Sequence, residues 1–137
     1  MIVRSDKFTP RILFLGFLFF TSLQGMAIGG TAVAISSNGF FGWCRNGGPV
    51  ETASAKAIEN CQKSGGVNPQ VVASTFTSSH GAIAKSGSGS QAIFGWSVGI
   101  VQRSRASRDE ALEDAKSTAI ALCKKRGGTD PKIVASW

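Results

Sequence analysis

The stretch from Cys61 to Ser74, CQKSGGVNPQVVAS, recurs at a constant offset of 62 residues as Cys123 to Ser136, CKKRGGTDPKIVAS, with the Cys, both Gly, the Pro and the Val-Ala-Ser in place. Upstream, Phe41-Gly42-Trp43 returns as Phe94-Gly95-Trp96 at an offset of 53, and Ala32-Val33-Ala34 as Ala82-Ile83-Ala84 at an offset of 50. A duplicated chain has to solve one folding problem twice, and two copies are too few for a solenoid, which needs three or more stacked units. The duplication therefore points to a single pseudo-symmetric domain, with repeat 1 over about residues 30–79 and repeat 2 over about 81–137.

Each copy reads as strand, strand, helix, strand. In the first, Thr31–Ser36 and Phe40–Cys44 flank Asn38-Gly39, a dipeptide that tolerates the positive φ angles of a two-residue hairpin turn. That turn would pair residue 37 with 40, 35 with 42 and 33 with 44, placing Val33, Ile35, Phe40 and Cys44 on one face. A helix over about Thr52–Lys63 puts Ala53, Ala57, Ile58 and Cys61 on one side, Gly65-Gly66 ends it, and Val71–Phe76 resumes a strand.

The second copy runs through strands at Ala82–Ser86 and Ala92–Val98, a helix over Arg108–Lys125 and a last strand at Lys132–Trp137. Ser107 with Glu110 has the spacing of a capping box, and Leu112, Ala115, Ala119, Leu122 and Cys123 form the apolar side of the helix. The fold class is α+β: one domain from a duplicated β-β-α-β unit, with two helices on one mainly antiparallel sheet of about six strands.

Residues 1–27 read as a cleavable signal rather than as structure. Arg4, Lys7 and Arg11 make a positive start, Ile12–Phe20 is an unbroken apolar run, and Gly25-Met26-Ala27 offers small residues at a peptidase site. The apolar run is too short for a bilayer core, which takes about 20 residues, so no stable membrane insertion is expected after cleavage. Cleavage after Ala27 leaves residues 28–137 as the exported domain, periplasmic or secreted. Losing Arg4, Lys7, Arg11 and Asp6 lowers the formal charge from +7 to +5.

The pattern Gly81-Ala82-Ile83-Ala84, then Phe94-Gly95-Trp96-Ser97, then an alanine-rich helix ending in Cys123, resembles a family of small exported bacterial domains known as domain of unknown function 4189. The resemblance covers most of residues 81–137, and residues 30–76 look like a more degenerate second copy. It implies export and fold rather than an activity. Members usually carry additional cysteines just beyond the helix, where this chain has Gly65-Gly66-Val67 and Gly127-Gly128-Thr129.

An oxidising compartment makes a disulfide the natural expectation for one pair among Cys44, Cys61 and Cys123. Cys44 with Cys61 closes a loop of about 17 residues, worth roughly 3 kcal/mol in the loop-entropy picture; Cys61 with Cys123 is the alternative. His80 is the single histidine, sited between the copies, and nothing in the spacing orients it toward a nucleophile. Three scattered cysteines lack zinc-ligand spacing, so neither metal nor cofactor is expected. Ser86–Ser90 leads into a strand rather than a helix start and reads as a loop, not a phosphate cradle.

Aromatic residues Trp43, Phe94 and Trp96 and the basic group Arg103, Arg105 and Arg108 are the binding candidates. Two helices cover only one face of six strands, so the other face would be covered by loops, by a homodimer partner or by another protein. Export argues against nucleic acid. The expectation is a non-enzymatic binding protein with a protein partner, an inhibitor or immunity protein acting on an enzyme or toxin. The alternative is a small secreted hydrolase with a Cys or Ser nucleophile.

Overall fold

The strands and helices follow the duplication. A computed structural model describes residues 29–77, 79–100 and 107–137, so residues 1–27, expected to be a signal, and Arg103 and Arg105 lie outside the described residues. The first copy supplies β1 (Thr31–Ile35), β2 (Phe41–Cys44), α1 (Val50–Lys63) and β3 (Gln70–Thr75). The second supplies β4 (His80–Ser86), β5 (Ile93–Ile100), α2 (Arg108–Lys125) and β6 (Lys132–Ser136), with a short 3₁₀ turn at Gly89–Gln91 before β5. Each copy closes its own antiparallel sheet, in the orders β2-β1-β3 and β5-β4-β6. The expected single sheet of about six strands is thus two sheets of three.

The first hairpin differs from the expected one by a residue. Ser36 N–H donates to Phe40 O at 2.9 Å, which leaves Ser37, Asn38 and Gly39 as a three-residue loop with Gly39 at φ 87°. The Ser36 hydroxyl accepts from Phe40 N–H at 2.9 Å and takes the place of a ladder bond. Asn38 is committed elsewhere: its amide donates to Gly65 O at 3.0 Å and accepts from Val67 N–H at 2.8 Å, tying the hairpin to the exit of α1. The register becomes Ala32 with Cys44, Val33 with Trp43, Ala34 with Gly42 and Ile35 with Phe41. A one-residue slip exchanges faces, so Val33, Ile35, Phe41 and Trp43 share one face and Ala32, Ala34, Gly42 and Cys44 the other.

That second face receives α1. Its buried side is Ala53, Ala57 and Cys61, packed on Ala32 and Ala34; α2 repeats this with Ala111, Ala115, Ala119 and Cys123 over Ala82 and Ala84. Leu112 and Leu122, expected on the buried side of α2, are half-buried flanks of an alanine stripe. Small residues on both surfaces let each helix sit close to its sheet. A Cβ on Gly42 would collide with Cys61 N and Ala57 O, and one on Gly95 with Cys123 N and Ala119 O. The α2 start is capped as the sequence suggests, with Ser107 Oγ accepting from Glu110 N–H at 3.2 Å.

The remaining sheet faces meet each other. Val33, Ile83, Phe94 and Trp137 are buried between the sheets, with Phe41, Trp43 and Trp96 packed around them. Trp43 stacks on Trp137 with centroids 4.6 Å apart and planes at 12°, and Phe41 meets Phe94 edge to face at 6.2 Å. The molecule is a four-layer helix, sheet, sheet, helix stack. The face expected to need loops, self-association or a partner is covered by the other half of the same chain.

Candidate functional site

Because β2 is the edge of its sheet, the chain after the first hairpin borders open space rather than a neighbouring strand. Residues Gly39 to Arg45 form one wall of a groove of about 540 Å³; Lys56 and Asn60 on α1, with Ser64 just past its end, form another, and Lys85 of β4 closes an end. A second hollow of about 490 Å³ continues from it past Cys44, Arg45 and Lys56 toward Asn46, Thr52 and Glu59. Aromatic side chains line the first groove, and its charged residues are all cations: Arg45, Lys56 and Lys85.

These cations are weakly committed. Arg45 makes no ion pair among the described residues, and its buried Nε has no hydrogen-bond partner. Lys56 reaches Glu59 at 3.5 Å, but Glu59 is held more closely by Lys63 at 2.7 Å. The Lys63 hydrogen bond, followed by the charge of Lys56, holds the Glu59 carboxyl below its ordinary range. Lys85 Nζ lies 5.7 Å from the Phe94 ring centroid. Asn60 Nδ2 donates to Trp43 O at 2.9 Å, securing the outer edge of β2 to the helix.

The duplicate copy shows what the groove could have been. At the 62-residue offset, Leu122 stands for Asn60, Arg126 for Ser64 and Thr118 for Lys56. The Arg126 guanidinium lies 4.7 Å from the ring centroid of Trp96, the counterpart of Trp43, and covers it. In the first copy the short Ser64 side chain turns back to Asn60 O at 3.0 Å instead. Asn60 against Leu122, just before the matching segment, and Ser64 against Arg126, inside it, were the signal available in the sequence. Periodicity alone passed over them, as it passed over Arg45, Lys56 and Lys85.

The aromatic candidates divide. Trp43 lines the groove, Trp96 lies under Arg126, and Phe94 is 4% exposed and belongs to the intersheet core. Arg108 is an exposed first residue of α2, while Arg103 and Arg105 fall outside the described residues.

All three cysteines are free, so neither expected disulfide, Cys44–Cys61 or Cys61–Cys123, is formed. Cys44 and Cys61 face the same layer, but at different levels. Cys44 Sγ would meet a Cβ on Gly47 beside Ala53, whereas Cys61 sits against Gly42 and Gly66. Ala53 and Cys61 are eight residues apart on one helix, about 12 Å at the helical rise. Cys61 and Cys123 belong to different helices, each packed on the outward face of a different sheet.

Burial raises all three thiol pKa values above the ordinary 9.0. Lys56 opposes the shift at Cys44, a Ser36 hydrogen bond opposes it at Cys61, and chiefly Arg126 opposes it at Cys123. His80 is buried in β4 with Nδ1 3.1 Å from Trp137 O, and the structure does not bring it to Cys44 on the helix side of the other sheet.

Among the described residues, no helix is long and apolar enough to cross a membrane, and no cluster of His, Cys, Asp or Glu could hold a metal ion. Comparison with known proteins gives one family, a domain of unknown function (DUF4189), whose model matches residues 31–137 and runs as a single unit across both repeats. No curated protein and no solved structure matches the chain.

Proposed function

The chain belongs to the DUF4189 family, and from that premise and the geometry of the β2 groove we propose that it is an exported, non-enzymatic binding protein, an inhibitor or immunity protein for an enzyme or toxin outside the cytoplasm. The observation that carries this reading is the difference between the copies. The same edge is covered by Arg126 in the second half and left open, aromatic and cationic in the first.

A groove of this size bordered by Trp, Phe and Arg has the residue types that anchor protein interfaces. The hydrolase alternative lacks support in the arrangement of groups. Burial keeps Cys44 protonated near neutral pH, and the single histidine is engaged with Trp137 on the other sheet. Export rests on residues 1–27, whose composition is that of a cleavable signal.

The test fills the groove with the residues of the other copy. The double variant Asn60→Leu with Ser64→Arg is expected to keep its unfolding midpoint near that of the wild type while losing whatever protein the wild-type chain retains from the extracytoplasmic fraction. A partner that binds the filled variant undiminished would refute the groove as the contact site.

A further inference from the structure

We propose that the β2 groove receives an extended, acidic segment of the partner, added as a further strand to the sheet; this rests on the groove being the contact site. Antiparallel ladders alternate residues that bond inward with residues that face outward. Ser36 N–H bonds Phe40 O, so Gly42 and Cys44 turn their backbone groups to β1, and Phe41 and Trp43 turn theirs away. Asn60 reaching Trp43 O from the helix side agrees with that phase and occupies one of those outward groups. The N–H and C=O of Phe41 and the N–H of Trp43 are left facing the groove, a pattern that pairs with an incoming strand.

Charge selects the occupant. Arg45, Lys56 and Lys85 border the groove without any acidic residue in its lining, and Arg45 Nε is buried with no partner. A second copy docking edge to edge would set these cations against their own duplicates. The residues outside the described ones do not supply the acid either: residues 1–28 carry Arg4, Lys7 and Arg11 against Asp6, and residues 101–106 carry Arg103 and Arg105. A segment alternating Glu or Asp with apolar residues would send its acidic side chains toward Lys56 on the helix side and its apolar ones toward the face that carries Phe41 and Trp43, because strand side chains alternate.

The experiment titrates the full exported chain with a blocked Glu-Val-Glu-Val-Glu peptide, its Gln counterpart and a backbone N-methylated version. Binding of the acidic peptide is expected to be at least tenfold tighter than that of either analogue, to weaken by a similar factor in Lys56→Ala, an exposed site that leaves the fold intact, and to fall with added salt. Equal binding of the Gln peptide would overturn the charge selection. Equal binding of the N-methylated peptide would overturn strand addition, and glutarate binding as tightly as the peptide would assign the groove to small acids. If none of the peptides binds but Asn60→Leu with Ser64→Arg still abolishes partner retention, this inference falls and the binding site stands. Retention by that double variant removes both.

Discussion

Replacing Gly42 by Ala tests the closest approach in the structure. The added Cβ would collide with Cys61 N and Ala57 O and lie 2.8 Å from Cys61 Cα. Carbon atoms rest at about 3.5–4.0 Å, so α1 has to withdraw by about 1 Å. The obstructing atoms are backbone, and no rotamer change relieves them. Withdrawal also opens gaps where Ala53 and Ala57 meet Ala32 and Ala34, in a layer whose fully buried members are alanines and Cys61.

Overpacking costs about 1–3 kcal/mol, and this site belongs at the upper end; the lower chain entropy of Ala returns about 0.5–1 kcal/mol. The net is about 2 kcal/mol, or about 8 °C in unfolding midpoint for a domain of this size. Gly95→Ala, which meets Ala119 O and Cys123 N in the same way, should cost as much. Gly48→Ala is the control: it has nothing within 4 Å and pays only for its φ of 80°, about 1 kcal/mol. Thermal unfolding followed by circular dichroism decides. Midpoints for Gly42→Ala and Gly95→Ala no lower than that for Gly48→Ala would refute close helix packing as the reason for these glycines.

Thiol counting by mass spectrometry on the purified protein should find three alkylatable cysteines without reduction, with half-buried Cys44 reacting first and Cys61 and Cys123 only on unfolding. Because burial raises their pKa values, these thiols add stability below the ordinary thiol pKa, and that contribution is lost as pH rises through the folded values; an unfolding midpoint unchanged above pH 9.0 would contradict it. Glu59 has the opposite sign: its lowered pKa adds stability above the ordinary carboxylate range that disappears as pH falls through the folded value. Glu59→Gln should flatten the acid limb of the stability profile slightly at low salt and leave the neutral plateau almost unmoved. Trp137→Ala should cost about 3–5 kcal/mol, and a double-mutant cycle with Trp43→Ala should return a coupling of about 0.5–1.5 kcal/mol; a coupling of zero in denaturant titrations would deny the stacked pair any specific role.

The β-β-α-β unit, its repetition, the Ser107 cap and the placing of Cys61 and Cys123 on inward helix faces were legible because each depends on residues near one another in sequence. The hairpin register was not. Asn38-Gly39 signals a two-residue turn locally, but Asn38 spends its amide on Gly65 and Val67, some 27–29 residues away, and the Ser36 hydroxyl replaces a ladder bond. The division into two sheets was hidden for a related reason. Alternation identifies two faces on each strand, yet says nothing of which face meets a helix and which a second sheet. Small residues decided it: Ala32, Ala34 and Gly42 admit a helix backbone, and the bulkier Val33, Phe41 and Trp43 fill the wider space between sheets.

The two copies also separate structural from functional demands within one chain. Where both must hold a helix close, they agree atom for atom: Gly42 with Gly95 under the helix backbone, and Gly66 with Gly128, whose added Cβ would lie 2.6 Å from Cys61 Sγ and Cys123 Sγ respectively and 3.0 Å from Cβ of Ser36 and of Ser86. Where they differ, the differences cluster beside β2. Arg45, Lys56, Asn60 and Ser64 line the open edge, and their counterparts Val98, Thr118, Leu122 and Arg126 bear a different surface, with Arg126 laid over Trp96. Packing constraints cannot explain this divergence, because the second copy shows that the same framework accepts an apolar and an aromatic-covering residue at these positions. An unfilled groove costs dispersion contacts that Leu and Arg would supply. The proposed binding role accounts for a chain that forgoes them on one edge and takes them on the other.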